Sequence, residues 1–265
     1  MFSLNSSTHN YFIMIFLFQL NQKNKAMPKS VIVLCFLIAL SGNCYSQQIT
    51  GKELLEKSIN YHDPQGKWTS LRAQMTLEQT RPDGNGRKSE LTINNDEGYF
   101  QLVDSTDGHE IVKTTIYDSC IVTLDGSQDF SEEMVEKYRL SDDRVRRMRN
   151  YYVYLYGLPM KLTDPGTNIG DEVATVEFNG KEYLELKVTY DEGVGSDDWF
   201  FYMNPKTFAM EGYKFNHQNG KGEYIYLEGL TTIEGVKIPK LRKWYVIQDD
   251  RFLGADDLIK SSPLE

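Results

Sequence analysis

Leu71, Ala73, Met75 and Leu77 alternate with Arg72, Gln74, Thr76 and Glu78. A period of two puts the apolar set on one face of a strand and the polar set on the other. The pattern returns along most of the chain. It is cleanest where Asn179-Gly180, a tight hairpin turn, joins residues 173–178 to 181–190. In the second of these segments Leu184, Leu186, Val188 and Tyr190 share one face, and Lys187 and Thr189 the other. Residues 87–93, 98–103, 110–117 and 120–124 read as earlier strands, and 198–203, 208–215, 223–227 and 236–248 as later ones. Turn chemistry separates them at Pro82-Asp83-Gly84-Asn85-Gly86, Asn204-Pro205-Lys206 and Glu234-Gly235. Connections this short allow only antiparallel neighbours. The expectation is a mainly β (α+β) domain, one antiparallel sheet of about ten or eleven strands that must curl strongly.

Two segments break this rhythm. Thr50-Gly51-Lys52-Glu53 fits a capping box, followed by Leu54, Leu55, Ile59 and His62 at helical spacing and a stop at Asp63-Pro64. The second break covers residues 131–160. There Ser141 suits a helix N-cap, and Asp142 and Asp143 suit its positive end. Val145, Met148, Tyr152 and Leu155 fall in one arc of the helical wheel, with Arg144, Arg146, Arg147 and Arg149 around the remainder. Gly157 and Pro159 close the segment.

Residues 27–46 read as a secretory signal peptide. Lys29 supplies a positive start, and residues 31–40 form an apolar run too short to span a bilayer. Cys44 and Ser46 place small residues before a cut ahead of Gln47. A second apolar patch at 11–20 has no basic residue before it, so residues 1–26 read as an extension upstream of a start at Met27. The exported domain is then residues 47–265. Anchoring as a lipoprotein through Cys44 is disfavoured, because Asn43 stands directly before it where a small residue is usual. Past residue 47 the only cysteine is Cys120, so no internal disulfide is possible there, and it reads as a small buried strand residue.

The chain carries a formal net charge of −9, and its first 46 residues hold three lysines and no acid, so the remainder is more acidic still. That argues against a nucleic-acid partner and against broad electrostatic adhesion to anionic lipid. His62, His109 and His217 show no helical zinc spacing, and H-E-x-x-H, C-x-x-C and G-x-S-x-G are missing from the sequence. The reading is a non-enzyme with no catalytic residue, cofactor or metal. Asp191, Glu192, Asp197 and Asp198 around Gly193 and Gly195 lack EF-hand spacing and read as a solvated loop.

The order of elements resembles the LolA-like periplasmic lipoprotein carriers and their LppX-like relatives, in a poorly characterised branch. The likeness runs over residues 48–250. It begins with the helix carrying Glu53-Leu54-Leu55 and the strand at Trp68-Thr69-Ser70-Leu71-Arg72-Ala73. A meander then reaches Leu124-Asp125-Gly126, followed by the helical insert and strand pairs cornered by Asn204-Pro205-Lys206-Thr207. The resemblance implies a half-barrel whose concave face is plugged by helices and whose cavity holds acyl chains. It also implies a periplasmic, monomeric carrier of lipid or an acylated lipoprotein, with another envelope protein as a further partner. In the carriers an arginine pins the helical lid; no residue of this sequence is assigned to that role.

The residues lead to the same question unaided. Two helices are too few to cover so wide a sheet fully, and an apolar ligand or a partner protein could fill the shortfall. The candidate ligand-binding residues are Val145, Met148, Tyr152 and Leu155 on the helix, with Trp199, Phe201 and Met203 on one strand face. An ordinary core demands the same stripes. Arg144 and Arg147 are the candidates for a head group or an acidic partner, against the alternative of a solvated helix surface.

Overall fold

A computed structural model describes residues 49–264. The signal peptide expected at 27–46, the extension at 1–26, the cut before Gln47 and the cysteine at 44 lie outside those residues. Among the described residues no helix is long and apolar enough to cross a membrane.

Twelve strands form one antiparallel sheet that is curved and does not close into a barrel. The first meander comprises β1 (Arg72–Thr80), β2 (Arg87–Asn94), β3 (Tyr99–Thr106), β4 (His109–Ile116) and β5 (Ser119–Leu124). The second comprises β6 (Thr167–Phe178), β7 (Lys181–Tyr190), β8 (Asp198–Met203), β9 (Met210–Asn216), β10 (Gly222–Ile233), β11 (Val236–Val246) and β12 (Phe252–Pro263). Across the sheet the order is β5-β4-β3-β2-β1-β12-β11-β10-β9-β8-β7-β6. The two meanders therefore meet only where β12 inserts between β1 and β11. The sequence reading found every strand except β12, whose Gly254, Asp256 and Asp257 interrupt the apolar alternation. Cys120 sits on β5, half-buried rather than buried, because β5 is an edge strand.

Helix α1 (Gly51–His62) has its capping box: the Glu53 amide donates to Thr50 Oγ1, and the Thr50 amide donates to Glu53 Oε2 at 2.8 Å. Leu54, Leu55, Ser58 and His62 face the sheet. Gly51 is required there, since a Cβ would stand 1.8 Å from the Gly170 carbonyl oxygen. At the other end of α1, His62 is clamped between main-chain groups. Its Nε2 accepts from the Met210 amide at 3.0 Å and its Nδ1 donates to the Lys237 carbonyl at 2.8 Å. Burial holds its pKa below the usual 6.5, in keeping with a neutral ring.

The second break resolves into α2 (Glu132–Tyr138) and α3 (Asp142–Gly157). Ser141 occupies the N-cap of α3 with extended backbone, but its side chain makes no capping bond. These helices connect β5 to β6, the two opposite edges of the sheet. Twelve strands laid flat would span about 50 Å. The 16 residues of α3 cover about 24 Å. A connection of that kind reaches from edge to edge by passing over the inner face of a curled sheet.

Most inward side chains join one core, including Leu71, Met75, Leu91, Phe100, Phe201 and Ile225. A second, smaller cluster lies under the start of α3.

Candidate functional site

Three of the four residues in the predicted arc of α3 are buried, and the arc is shared between the two clusters. Val145, with no exposed surface, packs with Ile111, Val122, Leu124, Tyr138 and Leu140. Tyr152 and Leu155 belong to the main core, and half-buried Met148 packs against it. On the outer side of α3, Arg146 donates to the Asp118 carbonyl at 2.9 Å and Arg149 to the Tyr117 carbonyl at 2.6 Å. Arg144 and Arg147 are exposed, and Arg147 pairs loosely with Asp143 at 3.8 Å.

On β8, Phe201 and Met203 are fully buried in the main core, and Trp199 is half-buried. Trp199 packs on Phe215 with ring centroids 4.6 Å apart. It lies on the floor of an open cleft of about 670 Å³ between the sheet and α3. Tyr213, Phe215 and Trp244 extend that floor, Tyr151 and Leu155 form the roof, and Arg81, Asp197, His217 and Glu223 stand at strand ends along the wall. Of the residues singled out from the sequence, the cleft gathers Trp199 and Leu155. Phe201, Met203 and Val145 lie in protein-filled core.

A second feature went unread in the sequence: a polar row on the inner face, one strand to the next. Ser89 faces Asp104, Arg87 faces Gln79, Gln79 faces Asp256, and Asp256 faces Arg242. Gln79 Nε2 donates to Asp256 Oδ1 at 2.8 Å. Arg87 lies 3.5 Å from Asp104 and donates to the Tyr152 hydroxyl at 3.2 Å. Arg242 is 1% exposed. Its guanidinium donates to the Pro239 carbonyl at 3.1 Å and to the Leu155 carbonyl of α3 at 3.3 Å, and sits 4.1 Å over the Tyr156 ring. Arg242 thus ties the sheet to the helix above it.

This row shapes the chemistry at the inner end of the cleft. Burial raises the Asp256 pKa against the pull of Gln79 and the nearby arginines. Burial also pushes the Tyr213 hydroxyl well above its usual range. That hydroxyl and the one on Tyr156 have no hydrogen-bond partner. At the rim, burial raises Glu223, and His217 Nδ1 stands 3.0 Å from Asp197.

The three histidines have separate surroundings. His62 holds main chain, His109 meets Asp125 at 2.6 Å, and His217 meets Asp197. Among the described residues no group of three or more His, Cys, Asp or Glu is arranged to hold a metal ion. In the acidic loop Asp191 and Glu192 are exposed, and Asp191 accepts from Asn168 at 2.8 Å, whereas Asp197 and Asp198 are half-buried and lie 3.0 Å from His217 and 3.1 Å from Lys187.

Residues 29–261 match the model of a family described as a family of unknown function, DUF6503. The chain belongs to that family. No curated protein matches this DUF6503 member. Among solved structures it is similar to a LolA superfamily protein, NE2245 from Nitrosomonas europaea. The identity is 12% over 82% of this chain and 94% of that one, with a TM-score of 0.49. A DUF1329 family protein from Desulfovibrio piger is 10% identical over 82% and 94%, with a TM-score of 0.41. A MucA/MucB complex structure from Pseudomonas aeruginosa is 8% identical over 81% and 99%, with a TM-score of 0.25.

Proposed function

We propose that this protein is a non-enzymatic, exported binding protein of the cell envelope. It holds an apolar or amphipathic ligand, such as a lipid or the acyl chains of a lipoprotein, in the cleft between α3 and the sheet. The observation that carries the reading is the cleft itself. Its volume of about 670 Å³ lies within the range of small-molecule sites, and Trp199, Phe215, Trp244, Tyr151 and Leu155 give it an aromatic and aliphatic wall. Removing such surfaces from water is the main favourable term for an apolar ligand. The signal-peptide reading of residues 27–46 supports the envelope location.

Native mass spectrometry of the protein, purified from the periplasm without detergent, tests this reading. An adduct of lipid or acyl-peptide mass, lost on organic extraction, is the expected outcome. A clean apo mass together with no uptake of the apolar probe N-phenyl-1-naphthylamine overturns it. A second reading, a protein-binding module, is favoured by one observation. Ile116, Tyr117 and Ile121 are exposed at 43%, 63% and 47% beside the edge strand β5, and an open edge can accept a partner strand.

A further inference from the structure

We propose that two copies of this chain pair through the open edge of β5, antiparallel and about a twofold axis at Ile121. This rests on the second reading, in which that edge docks a partner. It replaces the monomer that the family resemblance implies with a weak, reversible dimer.

The two edges of the sheet differ. β6 pairs only with β7, and its register breaks between Ile169 and Val173, where Asp171 and Glu172 are exposed. A bulge and charged side chains keep a free edge from recruiting another chain. β5 has neither: it pairs with β4 without a break from Ser119 to Leu124, and it carries no charged residue and no proline. In an antiparallel ladder every second residue turns its main-chain groups away from the neighbour. At the end of this ladder Asp125 donates its amide to the Glu110 carbonyl, while Leu124 exchanges bonds outward with Ser127. Cys120 and Val122 share the parity of Leu124, and their amides and carbonyls have no hydrogen-bond partner among the described residues. A neighbouring strand is what groups spaced this way accept.

The edge is complementary to itself in one register. With Ile121 opposite Ile121 of a second copy, Cys120 faces Val122 and Val122 faces Cys120, so every free group on one edge meets a free group on the other. Ser127 closes the edge beyond Val122, and at the other end the chain turns away at Asp118. The side chains agree with this register. On the inner face Cys120 and Val122, which both pack against the cluster beneath α3, oppose apolar to apolar. On the outer face Ile121, 47% exposed, meets its own copy, and Ser119 meets Thr123. Apolar and Ser–Thr pairs stabilise a ladder, whereas like charges directly opposite destabilise it. The charges nearest the edge are balanced in sign and lie off the axis. Arg146 and Arg149, bonded to the Asp118 and Tyr117 carbonyls, stand with Asp118 and Asp142 beside the Ser119 end. The axis of such a pair is perpendicular to the sheet, so the inner faces of both copies, and the two clefts with them, lie on the same side.

Sedimentation equilibrium of the protein purified from the periplasm, kept reduced, tests this. A ladder this short buries little surface, so a dimer with a Kd on the order of 10–100 µM is expected. The acidic net charge of each copy opposes association, so raising NaCl from about 0.05 M to about 0.5 M should tighten it. Ile121→Lys should weaken the dimer at least about tenfold, and Arg147→Ala should leave it unchanged. Oxidation in a Cys120→Ala background reads the register. Ile121→Cys should give a covalent dimer, because a directly opposed pair lies within disulfide reach. Thr123→Cys should not, because the two copies of position 123 then lie about 13 Å apart. A monomer at every concentration up to about 1 mM, a dimer indifferent to Ile121→Lys, or crosslinking at 123 rather than 121 overturns the inference. If the chain is monomeric but binds a labelled peptide of alternating valine and threonine, and Ile121→Lys abolishes that binding, the inference falls while the edge remains a docking site. With no peptide bound, the second reading falls as well.

Discussion

Under the first turns of α3, Val145 meets Ile111, Val122, Leu124 and Leu140, and the gap to the sheet is filled. Toward the end of the same helix, Tyr151 and Leu155 roof a cleft whose floor carries Tyr213, Trp244 and Asp256. The helix is one continuous element, so the difference lies in what the strands present to it. At the closed end the floor is apolar, and side chains interdigitate without directional demands. At the open end charged groups occupy inward positions, and each must reach a specific partner. Arg242 does so by bonding the helix main chain at Leu155. Packing yields a filled interface, whereas bonding at fixed distances leaves room beside it.

Four substitutions or conditions test that contrast. The largest effect is expected from Arg242→Ala, which removes the bonds to the Pro239 and Leu155 carbonyls and the contact with the Tyr156 ring and empties a buried site, for an expected loss of about 3 kcal/mol in urea unfolding. An effect within about 0.5 kcal/mol would mean that α3 is held by packing at both ends alike. At the closed end, Val145→Ala removes two buried methyl groups and leaves a hole, for an expected loss of about 2 kcal/mol. Its effect on ligand uptake should be nil if only the open end binds.

A smaller, pH-dependent effect belongs to His62, the buried last residue of α1. Its folded pKa lies below the unfolded 6.5, so the unfolded state takes up a proton first. Stability should therefore fall as pH drops through 6.5, and urea midpoints at pH 7.5 and 5.5 should differ less in His62→Gln than in the parent. A slope unchanged by that substitution would assign the titration elsewhere. The smallest effect is expected from Arg147→Ala, below about 0.5 kcal/mol, because an exposed pair contributes little. Set beside Arg242→Ala, it separates arginines on the outside of the helix from the one beneath it.

Much of this was readable in advance. Alternation and turn chemistry located eleven of the twelve strands, since a half-buried strand must repeat every two residues. The capping box at Thr50 appeared where its spacing placed it. Strand β12 went unread because Gly254, Asp256 and Asp257 dilute its apolar face. The polar row was hidden for a related reason, though a signal existed. Asp104 continues the inward parity of Phe100 and Leu102, and Gln79 that of Met75 and Leu77. A polar residue at an inward position reads as a strand end when the strand is taken alone. Its partner lies on a neighbouring strand far away in sequence, as with Gln79 and Asp256. For the same reason the α3 stripe predicted burial without saying which of its residues would roof open space.

The place of β12 has a consequence for the order of events in folding. Because it is last in sequence order yet lies between β1 and β11, neither meander can pair with the other until its residues are available. Contacts such as Gln79 with Asp256 span 177 positions, and closing loops of that length is slow. A chain emerging from its N-terminus therefore keeps two unjoined half-sheets with open edges until nearly all of it has appeared. Under the proposed export that delay would be an asset, since passage through a membrane pore requires a chain that has not yet locked itself shut.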